Sequence, residues 1–231
     1  MDEVRRRDNE RRRSDEVVVW SGAVSGESPD EVLLQAWRGG DRGAGNELFA
    51  RYFAAVYRFF RNKVDRGVED LVQRTFMACV EGRERLRSDA SFRAYLFGAA
   101  HHILRGHYRR ERALAREEDA DALAIVDMGA SPTSILGVRE EERLVLEALR
   151  RMPLGEQTLL ELYYWENLGG VELAAWLGVP ENTARTRVRR ARLRLEAEIA
   201  RLAAGPERLK STVDDLERWA ASLRGRLGQP A

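Results

Sequence analysis

Six arginines and a single acid occupy the stretch from Glu181 to Arg194, a net of about +5 on fourteen residues. A guanidinium presents a planar fork of donors that matches phosphate oxygens and the guanine edge, so this is chemistry for nucleic acid. The residues just before it show how it is presented. Gly170 to Leu177 read as a short apolar helix, followed by Leu177-Gly178-Val179-Pro180. Gly178 suits the left-handed position that ends one helix, and Pro180 pre-sets the first turn of the next. Ala184, Val188, Ala191 and Leu195 then recur at helical spacing as an inward stripe. Asn182, Thr186, Arg189 and Arg190 project from the opposite side, with Arg185 on its flank. The segment therefore reads as a helix-turn-helix whose second helix can enter a major groove. Its competing reading is a solvated basic helix within a bundle.

A second constellation lies between Ser91 and Glu111. Phe92, Leu96, Ala99 and Ile103 form a core stripe, while Tyr95, His102, Arg105 and Arg109 fall on a separate face continued by Arg110 and Arg112. Rings beside cations suit single-stranded nucleic acid, because bases stack on rings while phosphates meet arginine. Tyr95 as a core edge, and a terminal basic run answering the helix dipole, would account for the same letters. Catalytic constellations are missing from the pattern. His101 and His102 are adjacent and cannot share a helical face, and His107 is five residues on. No Cys/His/carboxylate set has metal-ligand spacing, and there is no phosphate loop or nucleophile elbow. The expectation is no catalytic residue, no metal and no cofactor.

The elements that must position these faces are helical. The 231 residues are 44% hydrophobic and 33% charged, enough for one or two modest cores. A net charge of +1 means that any basic surface is local. Lysine occurs only at Lys63 and Lys210, and the single cysteine, Cys79, sits among apolar helical positions. No secretory or membrane-spanning segment is evident, which together with a lone cysteine points to a reducing cytoplasm. Residues 1–27 mix dense charge with Ser and Gly and read as a disordered leader. Order is expected from Ser28-Pro29-Asp30-Glu31, with Ser28 as cap, Pro29 in the first turn and Glu31 completing a capping box. Leu33, Leu34 and Trp37 face inward until Gly39-Gly40. Leu48, Phe49, Tyr52, Phe53, Val56, Tyr57 and Phe60 mark a second helix, broken at Asp65-Arg66-Gly67. Val68, Leu71, Val72, Thr75, Phe76, Cys79 and Val80 are the expected inward face of a third. No stretch alternates with a period of two, so the fold class is all-α.

Four blocks now stand in order: Asp70-Leu71-Val72-Gln73-Arg74-Thr75-Phe76, Phe92-Arg93-Ala94-Tyr95-Leu96-Phe97, His107-Tyr108-Arg109-Arg110, and the helix-turn-helix. Together, over roughly residues 29 to 203, they resemble the extracytoplasmic-function (ECF) class of bacterial RNA polymerase sigma factors. The resemblance implies two helical domains joined by a flexible linker: sigma region 2 at 28–112 and sigma region 4 at 138–204. It implies that Asp70, Gln73, Arg74 and Met77 meet core polymerase with Phe76 packed beneath. It places Ser88 and Asp89 in the loop that captures a flipped base of the -10 element. Arg93, Tyr95, His102, Arg105, Arg109 and Arg110 would hold the -10 duplex and opened strand, Tyr95 standing where tryptophan is more usual. Asn182, Arg185, Thr186, Arg189 and Arg190 would contact the -35 element. The implied partners are core RNA polymerase, promoter DNA (duplex at -35, melted at -10) and an anti-sigma factor, with no insertion into a membrane.

Between the two domains, residues 113–137 carry five acids against one arginine and include Ser131-Pro132. Fully stretched they span roughly 80 Å. Beyond Gly205-Pro206, expected to end the basic helix, Leu209, Val213, Leu216, Ala220, Leu223 and Leu227 repeat as a short heptad seam over 205–231. That C-terminal helix would pack on its own domain, on a partner such as an anti-sigma, or as a self-inhibitory contact. Two other functions fit parts of the pattern. One is a stand-alone helix-turn-helix regulator with 29–112 as a ligand or dimerisation domain. The other is a sigma-like interaction protein without initiation activity.

Overall fold

A computed structural model of the chain describes residues 29–86, 91–111 and 140–203. The expected leader, Ser88 and Asp89, the linker and the C-terminal heptad helix lie outside the described residues. Among the described residues there are eight α-helices and no strand. They are α1 (Asp30–Arg38), α2 (Arg42–Arg61), α3 (Val68–Gly82), α4 (Phe92–Glu111), α5 (Glu140–Arg150), α6 (Leu154–Tyr164), α7 (Gly170–Leu177) and α8 (Glu181–Leu202).

The first four helices share one core. Asp41 caps α2, its carboxylate accepting from the Gly43 and Ala44 amides at 2.7 and 3.2 Å. Two otherwise orphaned donors at that helix start are thereby satisfied. Gly67, at φ +74°, turns the chain from α2 into α3 in a conformation that a side chain would strain. The aromatic positions of α2 then find partners on three helices. Phe49 lies 5.2 Å from Trp37 of α1 and 4.9 Å from Phe76 of α3, ring centre to centre, and it stacks on Phe92 of α4. Leu48, Val56, Phe60, Leu96 and Phe97 are fully buried around them. Cys79 is also fully buried, and that burial pushes its thiol up to about 12.

Three details differ from expectation. Pro29 is the N-cap of α1 instead of its first helical residue, and the expected cap Ser28 lies outside the described residues. Val80 is 48% exposed, because α3 buries Leu71, Val72, Thr75 and Cys79 and turns the next row outward. The last helix ends at Leu202, before Gly205-Pro206, where Ala203 adopts an extended conformation.

Helices α5, α6 and α7 pack on α8 through Ala184, Ala191, Leu195 and Ile199, all essentially buried. Gly178 has φ +64° between α7 and α8, as its left-handed role requires. The two groups of helices touch. Contacts run between α4 and α7, and the α2–α3 corner meets α6.

Candidate nucleic-acid interface

Helix α8 is long, 22 residues or about 33 Å, and divides its circumference by function. Of its expected inward stripe, Ala184, Ala191 and Leu195 are buried and Val188 is half-buried, and Ile199 extends it by a turn. Asn182, Arg185, Thr186, Arg189 and Arg190 are all exposed, on a helix that its neighbours hold rigidly. Arg185 is engaged with Glu181 one turn earlier, Nε and Nη2 donating to one carboxylate oxygen at 3.0 and 2.6 Å. An exposed pair of this kind is worth well under about 1 kcal/mol, so DNA can take the guanidinium over. Thr186 donates its hydroxyl to the Asn182 carbonyl at 2.9 Å.

Helix α4 carries the second row. His102, Arg109 and Arg110 are exposed and Arg105 is half-buried. Tyr95 is half-buried instead of presented outward. Its hydroxyl donates toward the Ala78 carbonyl at 3.5 Å, and it occupies the space above Gly82. A Cβ at Gly82 would overlap that hydroxyl, so the α3–α4 seam is built around the tyrosine. Arg93 is turned toward the second group of helices, donating to the Glu166 carbonyl and lying 3.5 Å from the Glu172 carboxylate. His107 faces α3 and pairs with Glu111 at 3.4 Å; burial lowers its pKa from the ordinary imidazole value, with Glu111 opposing.

The polymerase-facing residues expected on α3 form one exposed row. Asp70, Gln73 and Met77 are exposed and Arg74 is half-buried, pairing with Asp70 at 3.7 Å. Val80 extends the row by another turn, and Phe53 of α2, 43% exposed, stacks on Phe76 beside it. Met77, Val80 and Phe53 thus make an apolar patch rimmed by charge, the composition of a protein-docking surface. The i, i+3, i+4 spacing of positions 70, 73, 77 and 80 was the available signal for Val80.

One set of polar residues escaped sequence reasoning. Lys63, fully buried, donates to Glu161 of α6 and to the Phe59 carbonyl at 2.8 Å, and its ammonium lies 3.9 Å from the Phe59 ring centre. Asn62 and Gln157 each donate to the other Glu161 oxygen at 2.7 Å. Burial lowers the Lys63 pKa, and the Glu161 carboxylate opposes that shift. Nearby, Arg58 grips Glu166 with Nε at 3.0 Å and Nη2 at 2.6 Å. Ser91 donates to Glu172 at 2.8 Å, and the His101 ring meets Trp176 edge-on at 5.5 Å. A polar seam therefore holds the two helical groups together. Lysine and glutamate are rarely buried, and no periodic pattern links residues 98 apart.

Among the described residues no His/Cys/Asp/Glu cluster could hold a metal ion, and no helix is long and apolar enough to cross a membrane.

Comparison with known proteins fits this geometry. The model for Sigma-70 region 2 matches residues 48–114, and that for Sigma-70, region 4 matches residues 142–195. The ECF RNA polymerase sigma-E factor of Haemophilus influenzae is 26% identical over 179 residues, covering 74% of this chain and 95% of its own length. Those of Salmonella typhimurium and Escherichia coli are each 24% identical over 185 residues, covering 76% of this chain and 97% of their own. A solved structure of CnrH in complex with the cytosolic domain of CnrY is 22% identical, with a TM-score of 0.47 over 75% of this chain and 99% of that one. The two family models together span more than half of the sequence, in the order and on the helices described above. The chain belongs to the sigma-70 family, as an RNA polymerase sigma factor of the ECF type.

Proposed function

We propose that this sigma factor uses the exposed row of α3 to seat on core RNA polymerase, α4 to hold the -10 element, and α8 to read the -35 element. Its function is to bind core polymerase, recognise the two promoter elements and promote strand opening. The observation that carries the residue assignment is α8: a rigidly buried stripe on one side and an exposed Asn182, Arg185, Thr186, Arg189, Arg190 row on the other. Phosphate contacts from such a row fix register, and bidentate arginine contacts to base edges supply selectivity. On α4, Arg105, Arg109 and Arg110 meet phosphates beside His102, with Arg93 and Tyr95 nearer the helix start. The loop bearing Ser88 and Asp89 completes the -10 site in this reading.

The closed arrangement of the two helical groups is not the promoter-bound one. Positions -35 and -10 are 25 base pairs apart, about 85 Å at 3.4 Å per base pair. Helices in direct contact cannot reach both, so the seam through Lys63, Glu161, Arg58 and Glu166 must open. Residues 113–137, roughly 80 Å when stretched, add that reach to the span of the two helical groups themselves. Seating both units on one polymerase then makes the second DNA contact effectively intramolecular. The chain works in the cytoplasm in this reading, performs no chemistry on the promoter, and has an anti-sigma factor among its partners.

The test is a binding assay with purified core enzyme. Met77→Glu with Val80→Glu should abolish association while duplex binding by α8 persists; undiminished association would remove α3 from the interface.

A further inference from the structure

A cleft of about 840 Å³ lies between the two helical groups, within the range of small-molecule sites. One wall is α4, with His101, His102 and Arg105; the opposite wall is α6 to α8, with Trp176, Arg187, Arg190 and Arg194. At about 100° per residue, Arg187, Arg190 and Arg194 share one direction on α8. The buried Ala184, Ala191, Leu195, Ile199 stripe lies about 100° to one side, and the Arg185, Thr186, Arg189 row about 130° to the other. The helix therefore has a third face, which shares Arg190 with its outward row and is otherwise distinct from that row and from the core.

The cleft is cationic with an apolar floor. Its four arginines face a single carboxylate, Glu156, which accepts from Arg194 at 3.1 Å. The lining places arginines on two facing walls, and a multiply charged anion between them would meet guanidinium donors from both sides. Trp176 and Leu177 supply a flat apolar surface beside these charges, and Gly98 leaves the approach to Trp176 open: a Cβ there would sit 3.9 Å from the indole. A ligand matching both halves has a planar ring at one end and several phosphates at the other.

We propose that this cleft binds a nucleoside polyphosphate, its base against Trp176 and Leu177 and its phosphates between Arg105 and the Arg187, Arg190, Arg194 row. Because the walls belong to different helical groups, only the closed arrangement offers the whole site. The ligand shifts the population toward that arrangement. It also occupies Arg105 and Arg190, so it opposes promoter engagement; that consequence rests on the proposed function, whereas the binding itself does not.

Titration calorimetry on the full chain, without polymerase or DNA, tests the binding with ATP, GTP, inorganic tripolyphosphate and adenosine as probes. The expected result is one saturable site for ATP or GTP, about tenfold tighter than tripolyphosphate because a stacked base adds affinity. Arg187→Ala with Arg194→Ala should weaken binding by about tenfold or more, and Trp176→Ala should bring the nucleotide down to the tripolyphosphate value. Arg185→Ala with Arg189→Ala, on the outward row, should leave it within about twofold. Circular dichroism of each variant separates lost binding from lost fold. The proposal is overturned by absence of saturable binding below about 1 mM. Equal loss from the two arginine pairs would also overturn it, marking general attraction of polyanions to α8. Tripolyphosphate matching ATP, or a short single-stranded oligonucleotide displacing ATP and binding more tightly through the same residues, would overturn the nucleotide assignment.

Discussion

Lys63→Met removes the only cation among the described residues that touches Glu161 in the seam between the helical groups. Glu161 keeps its bonds from Asn62 and Gln157, but its charge is left at a site only 2% exposed. Breaking one half of a buried pair costs about 3–5 kcal/mol. The molecule has a cheaper escape if the seam opens and returns Glu161 to water. The variant should therefore shift from closed to open by roughly two to four orders of magnitude in equilibrium constant. Small-angle scattering reads this as a larger radius of gyration at unchanged helical content. Lys63→Met with Glu161→Gln, which leaves no buried charge at this site, should stay closed. An unchanged radius in Lys63→Met would refute the seam's dependence on this pair; an equal rise in the double variant would refute the electrostatic explanation.

Four further outcomes follow from named contacts. Arg189→Ala should weaken -35 duplex binding by about 1–3 kcal/mol if it makes a bidentate base contact, read by fluorescence anisotropy at fixed salt; an unchanged affinity would take Arg189 out of the interface. Gly82→Ala should lower stability by about 1–3 kcal/mol through collision with Tyr95, and Tyr95→Phe should recover part of it, measured by urea unfolding. Cys79, fully buried with its thiol pushed up to about 12, should react with iodoacetamide at pH 8 only as fast as the fold opens; alkylation at the rate of a free thiol would contradict its placement. Leu195→Ala, which empties a buried position on the inward face of α8, should cost about 2–5 kcal/mol by thermal unfolding and weaken -35 binding indirectly.

Local chemistry was legible in the letters wherever a period or a turn residue wrote it. The apolar spacing of Leu48 to Phe60, Gly67 before α3 and Gly178 before α8 each announced an element that the structure contains. The α8 arginine row was equally readable, since a buried stripe fixes which residues project. Val80 misled because it continues an apolar run, although its spacing from Asp70, Gln73 and Met77 puts it on their outward row. Tyr95 fitted either a stacking face or a core edge, and it fills the space that Gly82 leaves, a fit between residues on two helices. The seam was hidden for a different reason. Lys63, Glu161, Arg58 and Glu166 look like ordinary surface charge, and their burial depends on two helical groups meeting, which no local pattern encodes.

The central claim is that this chain, seated on core polymerase, opens a two-part promoter. Run-off transcription from a double-stranded promoter template, paired with permanganate probing of unpaired thymines, tests it most directly. Core enzyme plus this chain should yield a discrete transcript and reactive thymines around -10, and either component alone should yield neither. Stable association with core that leaves those thymines unreactive and gives no transcript would contradict it.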